Sequence, residues 1–121
     1  MHRLLKLIVI SLALAFAADT ALAHAFLDRS VPPVGGTVSG SPREIRLYFT
    51  QGVVTAFSGV QVTSESGASI PVGRPVNDPS DRSIVIVRLG QGLRPGSYTV
   101  SWHVVSVDTH PSQGTFRFTV S

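Results

Sequence analysis

His24, Asp108 and His110 are the residues of this sequence whose types and spacing could do chemistry. His24 directly follows Ala21-Leu22-Ala23, the small-x-small pattern that a signal peptidase cuts. Cleavage after Ala23 makes His24 the first residue and frees its amine. That amine and the ring Nδ1 of the same histidine can then close a six-membered chelate ring on one metal ion. An internal histidine cannot do this, because its backbone nitrogen is an amide. The amine must be deprotonated to bind, so affinity is expected to fall as pH drops through its titration.

The second half of the expected site is Asp108-Thr109-His110-Pro111. In an extended segment, residues two apart point the same way, so Asp108 and His110 would offer a carboxylate oxygen and an imidazole nitrogen to one ion. Together with His24 the set is three nitrogens and one anionic oxygen, which suits tetragonal Cu(II) better than the sulfur-seeking Cu(I). The chain has no cysteine, and its one methionine is Met1, so sulfur ligation is excluded. The expectation is one Cu(II) ion per chain, held by His24, Asp108 and His110. Asp-x-His-Pro also fits a loop in which Asp108 caps a turn. His103, on the face of Thr99 and Ser101, reads as a solvated strand histidine, and Trp102 and the phenylalanines read as core.

The segments that would position these residues come after an export address. Arg3 and Lys6, the apolar run Leu7–Ala17 and the Ala21-Leu22-Ala23 site give residues 1–23 the pattern of a signal peptide. The apolar run falls short of the roughly 20 residues that span a bilayer. Residues 24–121 then form one exported domain. The whole chain has 10 basic and 7 acidic side chains. Arg3, Lys6 and Asp19 lie in the leader, so the mature balance is close to neutral. Its arginines are scattered rather than clustered with exposed aromatics, which argues against nucleic-acid binding. Disulfides are absent even though an exported protein could form them.

The mature region reads as short strands separated by Gly, Pro, Ser and Asn/Asp turns, with no amphipathic helix. The pattern predicts strands over residues 24–29, 44–50, 60–63, 70–72, 83–89, 98–105 and 115–121. Ile45, Leu47 and Phe49 alternate on one face, as do Tyr98, Val100, Trp102 and Val104, and then Phe116, Phe118 and Val120. Pro71 and Pro75 limit their strand to an edge or a strand end. Residues 31–36 and 74–81 read as loops. About seven short strands in one domain predict an all-β, immunoglobulin-like Greek-key sandwich or barrel.

The sequence resembles the CopC family of periplasmic copper-binding and copper-resistance proteins. The resemblance rests on His24-Ala25-Phe26-Leu27, Ser30-Val31-Pro32-Pro33, Ile45 to Phe49, Phe57-Ser58-Gly59-Val60 and Leu93 to Trp102. Its most specific segment is Val104 to Pro111, followed by Gly114 and Phe116. It implies Cu(II) held by the amino-terminal histidine and the Asp-x-His pair, a role in periplasmic copper homeostasis or resistance, and a separate CopD-like membrane protein as partner. Two departures stand out. The methionine-rich Cu(I) loop of some members is missing. Gln51 occupies a position where many members carry an acid, and it can hydrogen-bond but brings no charge.

Two other functions fit the same features less well. A copper-dependent oxidative enzyme can also use an amino-terminal histidine, but a carboxylate among the ligands stabilises Cu(II) against the reduction that oxygen chemistry needs. A metal-free immunoglobulin-like interaction module is the other. The reading is a monomeric binding protein, not an enzyme.

Overall fold

The computed structural model describes residues 24–121; the export segment expected over residues 1–23 lies outside them. Nine strands form two sheets: β1 (Leu27–Val31), β2 (Thr37–Val38), β3 (Glu44–Phe49), β4 (Gly59–Ser64), β5 (Ser69–Ile70), β6 (Val76–Asp78), β7 (Asp81–Arg88), β8 (Gly96–Val105) and β9 (Pro111–Val120). One sheet has the order β1-β3-β7-β6 and the other β2-β9-β8-β4-β5. The first matches the ABED sheet of an immunoglobulin sandwich, and β4, β8 and β9 match C, F and G. The expected all-β, immunoglobulin-like sandwich is the observed fold.

Side-chain alternation sets which face of each strand turns inward. Ile45 and Leu47 on β3 are fully buried, as are Val85 and Val87 on β7 and Val100 on β8. Val60, Val62, Trp102, Val104, Phe116, Phe118 and Val120 complete the layer between the sheets. Each large side chain sealed there contributes roughly 1.5–3 kcal/mol relative to exposure. Phe49 meets Trp102 edge-on across the core, with ring centroids 5.1 Å apart. The hydroxyl of Tyr98 donates to the Arg94 carbonyl at 2.7 Å, the tyrosine corner of this fold class.

The larger departures from expectation are two shifted strand starts and two additional strands. The first strand starts at Leu27 rather than His24, because residues 24–26 are tied down by other bonds, described below. Strand β2 was not expected: Thr37 and Val38 pair in parallel with Thr119 and Val120. Nor was β6, which lies inside the supposed loop 74–81 and pairs with β7. Both are too short to show a period. Strand β9 starts at Pro111, four residues early, because β8 and β9 stay in register up to Val105 and Pro111. Proline is tolerated at that first position, where no ladder N–H is needed. As expected from Pro71, β5 stops at Ile70 and lies at the edge of its sheet. Among the described residues no helix is long and apolar enough to cross a membrane.

Candidate metal centre

At the end of the sandwich where β8 returns into β9, three chain segments are laced together. The first is the hairpin loop 106–110. Buried Ser106 organises it: its N–H donates to the His110 carbonyl at 3.0 Å, and its own carbonyl accepts from Thr109 N–H at 2.8 Å. Its hydroxyl accepts from His110 N–H at 3.2 Å. Thr109 takes a left-handed conformation, φ 66°, unusual for a β-branched residue.

The second segment, residues 50–54, crosses between the sheets. Val54 N–H donates to the Val105 carbonyl at 2.8 Å, Val53 N–H to that of Arg82 at 3.0 Å, and Val107 N–H to that of Gly52 at 2.9 Å. The hairpin loop is thereby fixed against both sheets.

The third segment is His24-Ala25-Phe26. Ala25 is fully buried in the core, and its carbonyl accepts the Ser112 hydroxyl at 2.6 Å. Phe26 exchanges two bonds with Thr50: its N–H donates to the Thr50 hydroxyl at 3.0 Å, and its carbonyl accepts from Thr50 N–H at 2.9 Å. These contacts carry the His24 ring to 5.1 Å from the His110 ring, centroid to centroid, at 67°. Phe26 flanks His24 on another side, with centroids 6.2 Å apart.

His110 Nδ1 is buried and has no hydrogen-bond partner. A buried ring nitrogen left in that condition costs on the order of 1–3 kcal/mol, so it is a group that a bound ion would satisfy. It lies in the ring that faces His24.

Asp108 is placed differently from the expectation. The segment is a tight turn, not extended chain, because pairing of β8 with β9 leaves only residues 106–110 to reverse direction, and Thr109 does so through its positive φ. The rule that residues two apart share a side therefore fails here. The Asp108 carboxylate is exposed and makes no hydrogen bond or ion pair among the described residues, so it does not cap the turn. Among the described residues, no three His, Cys, Asp or Glu side chains form a group that could hold a metal ion. Two of the three expected residues meet, and the third stands exposed in the turn.

The histidine pair alone presents two imidazole nitrogens. In a chain that begins at His24, the amine adds a third nitrogen without a third residue, so such a site need not show three converging side chains. Gln51 lies between Thr50 and Gly52, the residues that hold Phe26 and Val107. His103 is exposed on the outer face of β8, opposite Gly59 and Gln113, with its buried neighbours Trp102 and Val104 turned the other way. Sequence reasoning missed Thr50, Ser106 and Ser112. Nothing in local periodicity marks them, since their partners lie across the sandwich or around a turn.

A sandwich of these two sheets, with paired histidines at the β8–β9 end, has clear relatives. The CopC domain matches residues 27–121. Protein YobA of Escherichia coli K12 is 36% identical over 118 residues, covering 98% of this chain and 95% of the relative. The crystal structure of CopC from Methylosinus trichosporium OB3b superposes with a TM-score of 0.75 at 28% identity, covering 81% of this chain and 94% of that one. PcoC, described as a methionine-rich copper resistance protein from Escherichia coli, superposes at 0.73 with 31% identity, covering 82% and 100%. The chain belongs to the CopC family.

Proposed function

We propose that this chain is exported to the periplasm, cut after Ala23, and binds one Cu(II) ion through the amine and imidazole of His24 and the imidazole of His110, with Asp108 as fourth donor. The observation that carries the reading is the facing pair His24 and His110, with His110 Nδ1 buried and unpartnered. Family membership supports copper as the ion, because a relative of matching fold is a copper resistance protein. The donor types support the oxidation state: nitrogen and carboxylate oxygen, with no sulfur left once Met1 is removed. In this respect the chain departs from its methionine-rich relative.

The role that follows is binding rather than turnover, as a monomeric periplasmic buffer or carrier in copper homeostasis or resistance. A CopD-like membrane protein is the proposed recipient. Asp108 reaches the ion by a side-chain or turn movement, for which its unengaged carboxylate leaves room.

The test is Cu(II) titration of the exported protein, after mass analysis of its first residue. The expected result is a first residue of His24 and one tightly bound equivalent, lost in His110→Ala. Tight binding that survives His110→Ala would refute the assignment.

A further inference from the structure

The donor pair contributed by His24 sits at a chain end, and a chain end left to itself frays. Holding one residue's backbone in a single conformation carries a factor of roughly five to thirty in an equilibrium constant. Two hydroxyls oppose that fraying here, one from each side of the sandwich. Thr50, just past β3, accepts from Phe26 N–H at 3.0 Å. Ser112, on β9 of the other sheet, donates to the Ala25 carbonyl at 2.6 Å. Between them the Ala25 methyl is sealed in the core, and the Thr50 N–H to Phe26 carbonyl bond at 2.9 Å continues the grip. Ser112 also lies two residues beyond His110, so one strand start holds both an imidazole and the segment that presents its partner.

We propose that Thr50 and Ser112 are positioning residues for the copper site: their side-chain hydroxyls clamp residues 25 and 26 so that His24 is presented to His110 before the ion arrives. The inference rests on His24 being the amino-terminal ligand. Neither hydroxyl touches the ion. Their effect is to remove the ordering cost from the binding step and to slow release, since an amine that cannot swing away recaptures the ion. Preorganisation of this kind changes affinity without changing the donor set.

The test uses exported protein starting at His24, with Thr50→Val, Ser112→Ala and the double variant, and with Thr50→Ser and Ser112→Thr as rescues that keep the hydroxyl. Cu(II) affinity is measured by competition with a chromophoric chelator, release by stopped flow, and the donor set by electron paramagnetic resonance. Each single loss should weaken binding by about three- to tenfold, the weight of one net hydrogen bond. Release should speed up in proportion, and the double variant should lose about the product. The resonance spectrum should keep the parent's donor signature, and the rescues should bind within about twofold of the parent. A merely structural role would lower the unfolding midpoint and leave affinity and release alone. If the double variant does not fold, the two single variants decide. Parent-like affinity in folded hydroxyl-free variants overturns the clamp alone. A parent that binds no better than His110→Ala overturns the site assignment, and the clamp with it.

Discussion

The imidazoles of His24 and His110 face each other at 5.1 Å and 67°, although one precedes the first strand and the other follows the eighth. No local interaction brings them together. Their meeting depends on the sandwich placing the start of β9 beside the segment that enters β1, and on the buried Ala25 and Ser106 holding each backbone in place. The two-histidine side of the proposed site is therefore braced by the packing of the fold, whereas Asp108 stands in an exposed turn.

That asymmetry grades the proposed ligands. Removing the His110 imidazole should cost more Cu(II) affinity than removing the Asp108 carboxylate, by at least about tenfold, or roughly 1.4 kcal/mol. Chelator competition on His110→Ala and Asp108→Ala checks the order. Equal losses would mean that Asp108 is held as firmly as the histidines.

Two glycines separate packing that can yield from packing that cannot. A Cβ at Gly114 would lie 2.6 Å from the Trp102 ring, and that ring is 8% exposed and braced by Phe49. Gly114→Ala should cost about 1–3 kcal/mol through overpacking. A Cβ at Gly59 would come still closer to the His103 ring, but His103 is exposed and can swing out. Gly59→Ala should therefore cost less than about 1 kcal/mol. Denaturant melts of both variants test the contrast, which fails if their costs are reversed.

The tyrosine corner gives a third expectation. Tyr98 is buried and its hydroxyl bonds the Arg94 carbonyl at 2.7 Å. Tyr98→Phe should destabilise the domain by about 1 kcal/mol, the net worth of one such bond, while leaving copper affinity unchanged. The corner lies at the opposite end of β8 from His110. Chemical denaturation and copper titration of the same sample measure both.

Acid should weaken the β6–β7 turn. Hydrogen bonds from the Ser80 hydroxyl and amide, with a further contribution from Arg46 at 3.0 Å, hold Asp78 below its ordinary pKa. The Ser83 hydroxyl and amide do the same for Asp81. A carboxylate with a lowered folded-state pKa contributes stability that is present above its unfolded value, near about 4, and is lost as pH falls through the folded value. The unfolding midpoint should drop below about pH 4, and less steeply in Asp78→Asn/Asp81→Asn. Identical slopes in the two proteins would contradict this.

The parts of the molecule legible in the sequence were those governed by period. Ile45, Leu47 and Phe49 alternate because β3 has one face on the core, and Phe116, Phe118 and Val120 do so on β9. The two histidines singled out from the sequence, one by the processing pattern and one by the Asp-x-His-Pro segment, do face each other in the fold. The geometry of that segment was not. Whether Asp108 and His110 share a side depends on how far β8 and β9 stay paired, and Pro111-Ser112-Gln113-Gly114 looks like loop chemistry. In the fold it is strand: Pro111 needs no ladder N–H at its first position, and Gly114 makes room for Trp102. Thr50 and Ser112 were invisible for a related reason, since their partners are fixed only by tertiary register.

The central claim, that cleavage creates a ligand, is tested most directly by placing one additional residue ahead of His24. With the amine moved off His24, its nitrogen becomes an amide and the chelate ring cannot close. Cu(II) affinity measured by chelator competition should fall at least about a hundredfold, roughly 2.8 kcal/mol, while the unfolding midpoint of the copper-free protein stays the same. Undiminished affinity in the extended protein would show that copper is held without the His24 amine.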